Sequence, residues 1–371
     1  MKSKLKKKAS ILIVLISLGI LFSLLPIITA NLKITEISEM QKVDSIFLRS
    51  STTYTSPIEI NDLPGSPHNW TWAKDQGICT GSGTNNDPYI IKDHFFNNNL
   101  SNGLSILNSR KHFRIENCLF NFSYSNAGIG LYNTTKGYIT ENMNLPQQEW
   151  VSGSQIRLFN SSYNSIMNNT ASYCAYGIYL DEDSNYNTIS DNFASNNMVA
   201  GIYIRGGSKS TTFNKIEDNI VHLNSYGIAI QFTADNNTIK GNYISNNTYG
   251  LAIFGGDPTN NTVYANCFID NVNQATDDGI NNAWDFDGKG NYWDDFTGKD
   301  ANNDGIGDIP YNITGTAGSM DNFPLMTCPI LAQDGGGIPI ELIILISVIS
   351  GGVVIGVATL LILRRKKTRK Q

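Results

Sequence analysis

Apolar and polar positions alternate along this chain in short runs, and the runs recur in a fixed order. Between residues 176 and 266 one unit is written four times. It opens with a glycine-led apolar strand: GIYL at 177–180, GIYI at 201–204, GIAI at 227–230 and GLAI at 250–253. After a turn comes an Asn-flanked strand: NTISDN at 187–192, NKIEDN at 214–219, NTIKGN at 237–242 and NTVYAN at 261–266. A period of two puts Ile178 and Leu180 on one side of their strand and Tyr179 and Asp181 on the other. Farther out, GLSI at 103–106, GIGL at 128–131 and QIRL at 155–158 continue the first strand, and Ile115, Ile139 and Ile166 continue the second. The second-strand centres run on through Ile189, Ile216, Ile239 and Val263, in steps of 24, 27, 23, 27, 23 and 24 residues.

A repeat of this length is too short for a strand–helix unit, lacks the 3.6-residue helical pattern, and holds two or three short strands. One copy cannot bury its apolar side, whereas stacked copies bury a continuous column. The predicted class is all-β: a right-handed parallel β-helix, a pectate-lyase-like solenoid of about seven rungs, with a terminal transmembrane helix. A sandwich would not hold the same residue types in register over so many units, and the L-x-x-L-x-L spacing of a leucine-rich repeat is absent. The asparagines that close the second strands (Asn142, Asn169, Asn192, Asn219, Asn242, Asn266) are expected to stack as an amide ladder in an inward turn, helped by the tolerance of Asn for left-handed backbone.

Around the repeats at 103–272 the chain divides by composition. Residues 1–30 carry five lysines, an apolar run and Ile28-Thr29-Ala30, the layout of a signal peptide or N-terminal anchor. Residues 31–57 form a polar lead-in. Residues 58–102, with Trp70, Trp72, Phe95 and Phe96, are expected to cap the open N-terminal end, and the Asp- and aromatic-rich 273–328 the C-terminal end. A linker at 329–341 leads to 342–363, 22 uncharged residues that are long enough to span a bilayer. The basic tail 364–371 would hold the C-terminus in the cytoplasm. The expected location is the plasma membrane, crossed once, with the ectodomain outside.

The net charge of −5 hides an asymmetry. Eleven of the 27 Lys and Arg residues lie in the two terminal tails, and of the 32 Asp and Glu only Glu341 lies outside 31–337, so that segment carries about −15. Such a field excludes nucleic acid as a natural partner and favours cations. Five cysteines without a C-x-x-C pair define no disulfide framework.

Two places carry candidate chemistry. DANNDGIGD at 300–308 sets Asp300, Asn302, Asp304 and Asp308 at the first, third, fifth and ninth positions of a calcium loop with Gly305 at the turn, so structural Ca²⁺ is expected there; the closing Glu is replaced by Tyr311. The outward positions of the first strands form two columns. One runs Ser105, Gly130, Arg157, Tyr179, Tyr203, Ala229, Ala252; the other runs Leu107, Tyr132, Phe159, Asp181, Arg205, Gln231, Phe254. Rings interleaved with charged and amide groups suit an extended polysaccharide, the rings stacking on sugar faces. Tyr132, Arg157, Phe159, Tyr179, Asp181, Tyr203, Arg205, Gln231 and Phe254 are the candidate ligand-binding residues. Asp181, Arg205 and Arg157 are the candidates if the face is catalytic, although a glycosidase needs two facing carboxylates and these columns hold one acid. The four histidines are scattered and the methionines form no cluster, which argues against copper or zinc.

GSGTNNDPYII at 81–91, the repeated N-T-I-x-x-N, and GNYWDDFTGKDANNDGIGDIPYNI at 290–313 resemble the exported β-helix proteins with NosD-type repeats (periplasmic copper-binding proteins), abundant among archaeal surface proteins. The resemblance covers about residues 58–326. It implies a pectate-lyase-like fold and, for NosD proper, an accessory role in copper delivery to nitrous oxide reductase; related β-helix families include polysaccharide lyases and epimerases. The sequence as a whole points to a membrane-anchored surface module that binds glycan or has a structural role, with a polysaccharide-acting enzyme and a copper-handling accessory as rival readings.

Overall fold

The computed structural model describes residues 52–98, 102–122, 127–145 and 151–332. The expected signal or anchor at 1–30, the span at 342–363 and the basic tail lie outside the described residues. Among the described residues, no helix is long and apolar enough to cross a membrane.

The chain coils into a parallel β-solenoid of about eight turns with three sheets. The first, of nine strands, contains the glycine-led strands: Ile58–Asn61, Leu104–Leu107, Ala127–Tyr132, Val151–Phe159, Cys174–Asp181, Ala200–Arg205, Tyr226–Gln231, Tyr249–Phe254 and Asn273–Asp277. The second, of eight, contains the Asn-flanked strands and runs from Tyr89–Lys92 to Thr262–Tyr264. A third, of ten short strands from Thr52–Tyr54 to Tyr292–Trp293, closes each turn. The ladders reach past the seven rungs read from sequence, because Thr52–Tyr54, Ile58–Asn61, Tyr89–Lys92 and His94–Asn98 pair into them before residue 103. A short helix at Trp70–Asp75, which no periodicity announces, is capped by the Asn69 side chain accepting from Trp72 N.

The predicted inward residues fill the core: Ile178, Leu180, Ile189, Ile202, Ile216, Ile239 and Val263 are fully buried. Asparagine does more than expected. Among the described residues it forms three ladders, one at each corner of the coil. The expected one runs from Asn142 to Asn266 and on to Asn291; the others are Asn164–Asn187–Asn214–Asn237–Asn261–Asn282 and Asn197–Asn224–Asn247–Asn271. Asn192 shows the rule: its N and Nδ2 both donate to Asn219 Oδ1 (3.0 Å each), and Nδ2 also donates to the carbonyls of Ile166 and Ser190 (2.9 Å each). With Oδ1 accepting from Asn169 N and Nδ2, the buried Asn192 amide is fully satisfied, which removes the desolvation penalty that such a group otherwise carries.

The left-handed backbone at these corners falls on the residue before the ladder asparagine and not on the asparagine itself. Glu141, Asn168, Asp191, Asp218 and Ala265 have φ between 56° and 57°, and Gly241 has 66°. Apart from Asn291, the ladder asparagines follow a left-handed residue that turns the chain and aims the next side chain inward. The repeated glycine has a related reason. A Cβ on Gly201 would lie 2.9 Å from both Asn224 Nδ2 and Gly227 O, so the third ladder needs a bare backbone beside it.

At the C-terminal end Trp293 stacks on Phe268 (4.3 Å) and on Tyr311 (4.2 Å). Two fully buried carboxylates organise this segment. Asp277 accepts from Gly279 N, Asn282 Nδ2, Trp284 Nε1 and Ser319 Oγ; Asp321 accepts from Asn291 N, Trp293 Nε1 and Phe323 N. Burial pushes the Asp321 carboxyl up to about 6, against the pull of these N–H donors. A disulfide joins Cys267 in the third sheet to Cys328, while Cys79, Cys118 and Cys174 are buried free thiols.

Candidate functional site

The outer side of the first sheet carries the two predicted columns in the predicted register. Arg157 pairs with Tyr179, Tyr179 with Tyr203 and Tyr203 with Ala229; Phe159 pairs with Asp181, Asp181 with Arg205, Arg205 with Gln231 and Gln231 with Phe254. Register is legible here because a one-residue slip would turn every core side chain outward.

At the centre lies an Arg–Asp–Arg clamp. Arg157 Nη2 donates to Asp181 Oδ2 at 2.8 Å and Arg205 Nη1 to Asp181 Oδ1 at 3.2 Å. Asp181 is 4% exposed at its side chain, and each arginine 33%. Sequence spacing suggests the Asp181–Arg205 pair; the second guanidinium arrives from the preceding rung. Each arginine also lies over an aromatic ring: Arg157 over Tyr179 (5.2 Å) and Phe159 (5.8 Å), and Arg205 over Phe232 (5.0 Å). Burial would lower Arg205, but Tyr179 and Asp181 outweigh it and hold the guanidinium above its usual range.

The tyrosines are arranged differently from the expectation. Tyr176, Tyr179 and Tyr203 stack on one another at 4.9–5.1 Å. Tyr203 is only 8% exposed and its hydroxyl donates to Gln231 Oε1. Burial, and then the nearby Asp181 charge, raise Tyr179; burial, and then Tyr176, push Tyr203 up to about 12, so both hydroxyls are neutral donors. Ring faces predicted to meet sugar are largely spent on neighbouring rings, since rungs about 5 Å apart bring like side chains into van der Waals contact. A ligand would meet ring edges, hydroxyls and the guanidinium groups. Phe159 is 38% exposed, and Phe254 packs against Tyr226. Beside Arg157 the surface sinks into a pocket of about 160 Å³, whose walls include Asn102, Tyr132, Ser152, Ser154 and Tyr176. Tyr176, Phe232 and this pocket were missed from sequence: Tyr176 precedes the alternating run, Phe232 follows it, and the pocket depends on how neighbouring rungs are offset.

The 300–308 loop folds on itself. Asp300 accepts from Asp304 N (3.1 Å) and Gly305 N (2.9 Å), Asp304 accepts from Ile306 N, and Asp308 accepts from Ala301 N. Carboxylates and a carboxamide are the donor type that Ca²⁺ prefers, but here the carboxylates accept from the loop's own N–H groups. Among the described residues, no group of three or more His, Cys, Asp or Glu is placed to hold a metal.

The family profile described as "Periplasmic copper-binding protein (NosD)" matches residues 35–215 and 152–298. The chain belongs to the NosD family. A curated relative, the "Probable ABC transporter binding protein NosD" of Stutzerimonas stutzeri, is 43% identical over 53 residues; the match takes in 14% of this chain and 12% of that protein's length. Among solved structures, the Azotobacter vinelandii mannuronan C-5 epimerase AlgE6 A-module aligns with a TM-score of 0.40 at 15% identity, over 52% of this chain and 56% of that one. The AlgE4 A-module of the same organism aligns at 0.32 and 17%, over 49% and 52%.

The copper in the family's description can be tested against this NosD chain's own donors. His94 is buried against the Ile78 carbonyl and His222 against Ser245 Oγ. Burial raises the Cys79 thiol to about 11 and the Cys118 thiol to about 12, so neither offers a thiolate at neutral pH. Among the described residues, these donors are not gathered into a group of three or more.

Proposed function

We propose that this NosD-family solenoid is an exported surface module that binds glycan along the outer side of its first sheet, held to the membrane by 342–363. The observation that carries the reading is the Arg157–Asp181–Arg205 clamp, set in register among Tyr132, Phe159, Tyr179, Gln231 and Phe254 on a parallel face. Guanidinium and amide groups beside aromatic edges suit hydroxyl-rich ligands. Binding is favoured over catalysis because both oxygens of Asp181 are engaged by arginines, leaving it poorly placed as a base, and hydrolysis needs a second carboxylate across the bond. The purified full chain, screened against neutral and acidic polysaccharides, is expected to retain at least one without cleaving it. Arg205→Ala should weaken that binding by tenfold or more, as expected for a charged hydrogen bond of about 1.5–3 kcal/mol. Retention of none would end the glycan reading, and chain cleavage or epimerisation would make the protein an enzyme.

Structural Ca²⁺ on Asp300, Asn302, Asp304 and Asp308 is part of the same proposal. At calcium well above a sub-millimolar Kd the gain is roughly 2 kcal/mol. Added Ca²⁺ should therefore raise the melting temperature by a few degrees, and Asp304→Ala should abolish the rise. A melting temperature indifferent to both calcium and chelator would rule the site out.

A further inference from the structure

We propose that the pocket beside Arg157 selects an acidic sugar, with the charged group of the sugar on the Arg157 guanidinium. This rests on the glycan reading above and names its ligand class. Asp181 is shared between two guanidinium groups, and the further carboxylate nearby, Glu182, acts on Arg205. Arg157 uses Nη2 on Asp181, while its side chain stays 33% exposed and its Nη1 makes no hydrogen bond among the described residues. A planar guanidinium with an unengaged, accessible N–H group meets its match in the oxygens of a carboxylate or sulfate.

The rest of the pocket fits the same ligand. Among the described residues, no acidic side chain lines it. Asn102 Nδ2 donates to the Tyr132 hydroxyl oxygen at 3.2 Å, so that hydroxyl keeps its own proton to give. Ser152 and Ser154 add hydroxyls, and Tyr132 and Tyr176 supply apolar walls for a sugar ring. A volume of about 160 Å³ is on the scale of one monosaccharide unit, so the pocket would read a single charged unit of a longer chain lying across the rungs.

The decisive measurement compares binding of the full chain to a polyuronate, a sulfated polysaccharide and a neutral polysaccharide of similar length at low salt. Wild type is expected to bind the polyuronate or the sulfated chain at least tenfold more tightly than the neutral one, the preferred member showing whether carboxylate or sulfate is read. Arg157→Gln should erase that preference, Arg157→Lys should retain part of it, and Arg114→Gln, on another sheet, should leave it intact. Circular dichroism and melting temperature confirm that each variant folds. Equal binding of neutral and acidic chains, insensitive to Arg157→Gln, would overturn the acidic-sugar assignment while leaving glycan binding in place. Failure to bind any of the three would overturn both.

Discussion

Replacing Asn219 with Leu is expected to destabilise the solenoid by about 3–5 kcal/mol, although the two side chains are similar in size. Asn219 is fully buried in the middle of its ladder. Its Oδ1 accepts from the backbone N and Nδ2 of Asn192, and its Nδ2 donates to Asn242 Oδ1 and to the carbonyls of Ile189 and Glu217. Leucine leaves the Asn192 backbone N–H buried without an acceptor, at about 1–3 kcal/mol, and several net hydrogen bonds of about 1 kcal/mol are lost with it. In a chain of this size the melting temperature should fall by roughly 6–10 °C. A fall within 1–2 °C would mean that the corner relaxes around the substitution and that the ladder adds little beyond the apolar column. Because each rung touches only its neighbours, the damage should be local, and hydrogen exchange should quicken first at the flanking rungs.

Cutting the disulfide is expected to cost about as much by a different route. Cys267 and Cys328 close a loop with a sequence separation of 61. By the loop-entropy relation, joining residues that far apart removes freedom from the unfolded chain worth about 4 kcal/mol. The double variant Cys267→Ser/Cys328→Ser should therefore unfold at lower denaturant and become open to protease between 277 and 328, and reductant should do the same to wild type. A loss below about 1 kcal/mol would show that Asp277, Asp321 and the Trp293 stack hold the segment unaided. Such a bond persists in oxidising compartments, which agrees with the periplasmic description of the NosD family.

These two features were not equally visible in advance. The Asn219 ladder was legible because the repeat returns the same residue at the same corner, and a stacked polar column needs identical partners above and below. Its two sister ladders went unread because the asparagines at 164–282 flank the same strands and passed as part of the motif, while those at 197–271 follow strands too short to show alternation. The disulfide was not legible: Cys267 sits in a repeat and Cys328 beyond all of them, and nothing local states that the tail folds back to the last rungs.

The clamp divides the same way. Alternation with period two, together with a core that forbids register slips, determined from sequence alone that Arg157, Tyr179 and Tyr203 share one outward column and Phe159, Asp181 and Arg205 the next. Only the tertiary structure decided that both arginines close on Asp181, that the tyrosine faces turn to one another, and that a donor-rich pocket opens beside Arg157. Strand periodicity is a property of consecutive residues, so one chain segment reveals which side a residue takes. Contact between rungs depends on steps of 23 to 27 residues and on turns of unequal length, and that is settled only when the coil is stacked.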